Sequence, residues 1–127
     1  MKLPATPSEN SEIINTLREK AEEFAKLMSH AEAALEVRDY AEQRRLLTLR
    51  AQIIIDLPET LLNAMENIED DGLREEIKAI DSWVKAAQRA LDDEDDYLLS
   101  MLLVPSGYNL DKDDFFMRFV KHLEVQY

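Results

Sequence analysis

Ile14, Leu17, Ala21, Phe24, Met28, Ala31 and Leu35 follow one another at alternating steps of three and four. On a helix that spacing lines up one narrow apolar stripe, the seam of a coiled coil or of a helical hairpin. The chain is therefore expected to open with a long helix over Glu12–Val37, after a flexible tail at residues 1–10 containing Pro4 and Pro7. Arg38-Asp39-Tyr40 reads as a tight corner. Asp39 is placed to cap a second helix, and Glu42, three residues on, completes a capping-box pattern.

The second helix is expected over Tyr40–Ile55, with Leu46, Leu47, Ile53, Ile54 and Ile55 among its apolar positions. Asp56-Leu57-Pro58-Glu59 reads as a boundary, because proline is tolerated in a first helical turn and Asp56 with Glu59 makes a second capping box. A third helix then carries Leu61, Leu62, Met65 and Ile68 and closes at Asp71-Gly72. A fourth begins near Leu73 with the stripe Leu73, Ile77, Ile80, Val84, Ala87 and Leu91, Trp83 lying beside it. Five consecutive acids, Asp92 to Asp96, repel one another and are expected to break it. Pro105-Ser106-Gly107 is a further stop, and Asp111 or Asp113 is expected to cap a last helix holding Phe115, Phe116, Phe119, Val120 and Leu123.

Two glycines in 127 residues are too few for the turns of an all-β chain or the phosphate loop of a dinucleotide-binding one. The expected fold is all-α: a single-domain helical bundle of five or six helices, built on an N-terminal helical hairpin with coiled-coil-like heptad packing. Residues 11–57 would form the hairpin and 58–127 an acidic helical half within one domain, 11–127. Lengths add a constraint. A first helix of about 26 residues spans roughly 39 Å and a second of about 16 spans roughly 24 Å. The seam at Ile14 and Leu17 then needs cover from elsewhere, and a homodimer through the first helix is one solution.

The absence of cysteine excludes disulfides, thiolate metal sites and a cysteine nucleophile, and fits a cytoplasmic protein. The tail has no apolar core of a signal peptide, and the longest apolar run, Tyr97–Val104, is far short of a membrane span. The formal net charge is −12, and it is uneven. Residues 1–57 carry 8 Lys/Arg against 10 Asp/Glu, whereas residues 58–127 carry 7 against 17. Phosphate repulsion makes nucleic acids and anionic membranes poor partners for that second half, while a basic protein would be attracted.

Catalytic patterns are sparse. His30 and His122 lie far apart, and neither follows a Glu by three residues, so the Glu-x-x-His ligand pattern of di-iron bundles is missing. No phosphate-loop, nucleophile-elbow or His-Glu-x-x-His motif occurs. Glu19-x-x-Glu22 followed by Glu36-x-x-Asp39 resembles the magnesium-binding spacing of all-α nucleotide pyrophosphohydrolases of the MazG type. That resemblance implies two acidic pairs converging on one ion from different helices. Here the pairs share the first helix about 17 residues apart, roughly 25 Å, which one ion cannot bridge. No metal and no cofactor is expected.

The remaining candidates are surfaces. Ile14 and Leu17 on the seam, Asp92, Asp93, Asp95 and Asp96 in the acidic run, and Phe115 and Phe119 on the last helix are the residues expected to meet a partner. Arg38, Arg44, Arg45 and Arg50 are the basic concentration, with Arg38–Glu42 and Glu42–Arg45 at pairing distance on a helix. The expected function is a non-catalytic protein–protein interaction module: an adaptor, assembly factor or small chaperone. The alternatives are an acidic inhibitor or immunity-type protein that blocks a basic or nucleic-acid-binding partner, and the magnesium-dependent pyrophosphohydrolase.

Overall fold

The computed structural model describes residues 9–66, 68–103 and 114–127. Among them there are six helices and no strand: α1 (Glu9–Glu36), α2 (Tyr40–Glu66), α3 (Asp71–Ile77), α4 (Ile80–Asp92), α5 (Asp96–Met101) and α6 (Phe115–Gln126). The all-α bundle on an N-terminal hairpin is as expected. The Pro105–Gly107 stop and most of the tail lie outside the described residues, while Glu9 and Asn10 are already helical; the expected cap of the last helix, Asp111 or Asp113, is corrected to Asp114.

The α1–α2 corner follows from local chemistry. Arg38 takes a left-handed φ of 59°. Its N–H reaches the Leu35 carbonyl at 2.9 Å, and the Asp39 N–H reaches Ala34 at 2.9 Å. Those two bonds close α1 as a Schellman motif. Asp39 then caps α2, its carboxylate accepting from the Glu42 N–H at 3.1 Å.

The expected boundary at Pro58 is a correction, since α2 runs through it to Glu66. Interior proline costs a helix about 3 kcal/mol. Leu57 and Leu61 flank it and are buried, and each gains about 1.5–3 kcal/mol from burial, which offsets that cost. Asp56 caps nothing; it accepts from the Gln52 amide at 2.9 Å within the same helix. The sequence held the signal: Leu47, Arg50, Ile54, Leu57 and Leu61 form a second seam in steps of three and four that crosses Pro58.

At 28 and 27 residues the two helices have matching lengths. α2 and α6 both pack on α1. Ile14 is 6% exposed and Leu17 0% within the single chain. The uncovered seam that argued for pairing through α1 does not exist.

Two further boundaries move. Gly72 does not close a third helix; it lies in the first turn of α3, which Asp70 caps by accepting from the Leu73 N–H. The expected single helix from Leu73 is two, α3 and α4, joined at Lys78–Ala79 by tight three-residue hydrogen bonds such as Ala79 N–H to Glu76 at 3.1 Å. That local tightening keeps Leu73, Ile77 and Ile80 buried together. α6 is capped by Asp114, whose carboxylate accepts from the Met117 N–H at 2.8 Å. One cluster of buried apolar residues runs through all six helices.

Candidate docking site

The acidic run from Asp92 to Asp96 breaks the helix as expected, and the break repeats the device of the α1–α2 corner. Glu94 takes the left-handed φ of 49°. Its N–H bonds to Leu91 at 3.1 Å and the Asp95 N–H to Ala90 at 3.2 Å, a second Schellman closure. Asp95 then caps α5 through the Leu98 N–H at 3.1 Å. The other acids also have partners inside the chain. Asp92 accepts from Gln88 at 3.2 Å, Asp93 faces Arg89 at 3.6 Å, and Asp96 pairs with Arg44 at 2.9 Å. Arg44 also donates to the Glu94 carbonyl at 3.1 Å, fastening the corner to α2.

The other arginines divide by environment. Arg45 and Glu42 form an exposed pair, which holds the Glu42 carboxyl below its ordinary range, chiefly through the hydrogen bond from Arg45. Arg50 is 1% exposed. Its guanidinium lies 3.9 Å from the Phe24 ring centroid and donates to the Leu99 and Leu102 carbonyls at 3.4 and 2.9 Å. Those carbonyls end α5, where a cation meets the negative end of the helix dipole.

From Arg50 an aromatic chain crosses the molecule. Phe24 meets Phe116 at 5.7 Å, Phe116 meets Trp83 at 5.5 Å, and Trp83 meets Phe119 edge-on at 5.2 Å. These separations suit tilted and edge-to-face packing. Phe24 and Phe116 are its buried members, Phe116 on the inner face of α6. Phe119 is half-buried beside Trp83, and Phe115 is 43% exposed.

α4 and α5 lie on either side of the acidic corner and pack against each other. Between them lies an open cleft of about 750 Å³. Its floor is Trp83, Leu98, Leu102 and Leu103, and Met101 and Phe115 form exposed parts of its wall. On the α4 side Ser82, Lys85, Ala86 and Arg89 share one solvent-facing stripe, the spacing of neighbours on a helix. The structure thus brings Phe115 to the cleft with Trp83 and sets the acidic run at its apex. Ile14 and Leu17 are buried in the hairpin, away from it.

Glu19, Glu22 and Glu36 all lie on the unbroken α1, so the two acidic pairs of the pyrophosphohydrolase spacing are held apart along one helix axis. Among the described residues no group of three or more His, Asp or Glu side chains converges as a metal site would need. No described helix is long and apolar enough to cross a membrane. Comparison with protein-family models, curated proteins and solved structures yields no match for this chain.

Proposed function

We propose that this chain is a non-catalytic protein–protein interaction module of the cytoplasm, an adaptor or assembly factor, and that the α4–α5 cleft is where it docks. The observation that carries the reading is the cleft itself: a concave apolar floor with Met101 and Phe115 left in water, rimmed by polar groups. Burying such residues against a partner gains free energy that the isolated chain forgoes. An aromatic and methionine centre inside a charged rim is also the common anatomy of a protein interface.

The test is site-specific photo-crosslinking in the native cell. A photoreactive phenylalanine analogue at Ala86, exposed on the cleft wall, is expected to give a discrete protein adduct. The same probe at Glu22, exposed on α1, is expected to give none. Equal labelling from both positions, or none from Ala86, defeats the reading.

A further inference from the structure

Resting on that docking site, we propose that its occupant is an acidic amphipathic helix of a partner protein, with apolar side chains on the cleft floor and Asp or Glu side chains against Lys85 and Arg89. Charge is what selects this chemistry. The chain carries 27 Asp/Glu against 15 Lys/Arg, so a stretch of its surface chosen blindly is acidic. The charged residues lining the α4–α5 cleft are nonetheless both cations, Lys85 and Arg89, with no carboxylate among its described lining residues. The other described clefts mix signs, pairing Lys20 with Glu23 and Asp56, Lys78 with Asp81, or Arg45 with Asp39 and Glu42.

A third cation lies near one wall residue: the Arg118 guanidinium sits 6.0 Å from the ring centroid of Phe115, though it does not itself line the cleft. The neighbouring acids are engaged locally. Asp114 spends a carboxylate oxygen on the Met117 N–H, and Asp93 approaches Arg89 only at 3.6 Å in an exposed contact. Lys85 has no ion pair among the described residues.

Shape agrees with charge. The cleft is open and bordered by residues of two helices, and a helix laid against such a surface presents apolar anchors at steps of three and four. Repulsion between an acidic partner and the rest of this acidic chain is screened beyond about 10 Å at 0.1 M salt, so ion pairs at contact range decide the outcome. Their contribution is expected to lie more in association rate and choice of partner than in total affinity.

The experiment uses three synthetic amphipathic peptides of about four turns. All carry Leu at i, i+3 and i+7, and they differ only in flanking residues: Glu, Gln or Lys. Binding to the full chain is read by peptide anisotropy and by the emission of Trp83, the single tryptophan, which lines the cleft. The Glu-flanked peptide is expected to bind roughly tenfold tighter than the Lys-flanked one at 0.1 M salt, with the Gln peptide between. Lys85→Glu/Arg89→Glu is expected to reverse that order, and Ala86→Arg to block all three peptides. If the double variant loses helicity, Lys85→Glu alone, an exposed mid-helix change, is expected to narrow the gap.

Equal binding of all three peptides overturns the acidic preference and leaves the docking surface standing. No binding by any of them overturns the helical occupant, while the Ala86 crosslink separately judges the docking reading. Tyr108→Ser/Leu110→Ser binding the Glu peptide far more tightly than wild type would give the cleft to the chain's own residues 104–113 and overturn the proposal.

Discussion

Arg38, Glu94 and Leu103 are the non-glycine residues with left-handed φ among the described ones, each just past a helix end where glycine is usual, and neither Arg38 nor Glu94 forms a side-chain ion pair among the described residues. An L-residue there costs about 1–2 kcal/mol, part of which glycine returns through its greater freedom in the unfolded chain. Arg38→Gly and Glu94→Gly are each expected to stabilise the fold by about 0.5–1 kcal/mol, read as a higher urea midpoint at unchanged slope. A lowered midpoint would mean that the side chains contribute more than their geometry shows. At this scale the sequence was readable where one residue had one role. Asp39 stands alone before its helix, with Glu42 at the capping distance, and it caps as expected. Asp95 and Asp114 do the same chemistry, but runs of neighbouring acids hide which member serves. By proximity in sequence Arg50 groups with Arg38, Arg44 and Arg45, whereas it alone of the four is buried. Its place in the step-of-three-and-four seam from Leu47 to Leu61 was the signal that it is buried.

Helix ends were harder to read than helices, because tertiary burial decides them. Pro58 and Gly72 are local stop signals, and both lie inside helices. Gly72 has a different effect. A Cβ there would come within 3.0 Å of the Tyr127 hydroxyl, so its small size lets the end of α6 close on α3. The same junction holds Asn10 on Asp70 at 3.2 Å and His122 on Glu76 at 2.6 Å, joining α1, α3 and α6. Loss of water pushes the Tyr127 phenol above its ordinary value of 10.0, and the hydrogen bond to Glu76 and the charges of Glu76 and Asp70 push the same way. A raised folded-state value means stability that is complete below about pH 10 and is lost as pH climbs through it. Tyr127→Phe is expected to flatten that alkaline loss, measured as the urea midpoint near pH 8 and near pH 10.5. Identical alkaline slopes in the two proteins would show that the phenol does not govern this junction.

For the molecule as a whole, the bundle is legible because its seams are periodic, whereas the cleft is not, because it combines residues of α4, α5 and the start of α6 that no single periodic pattern joins. Phe115 was singled out as a partner-facing residue and stands at the cleft; Lys85, Arg89 and Met101 carried no pattern that could mark them. The hairpin's completeness makes a separate prediction. Ile14→Glu/Leu17→Glu places two charges in a closed core and is expected to unfold the chain, seen as lost circular dichroism alongside sedimentation. A folded monomer derived from a wild-type dimer would contradict this. Arg50 has one more effect at this scale. α5 has six residues, and a helix so short would ordinarily fray on its own. If it lifts away, its last carbonyls leave the guanidinium, and a charge is stranded in the hairpin without them. Local opening of α5 therefore carries the added cost of removing those two acceptors from a buried guanidinium, which ties one wall of the cleft to α2.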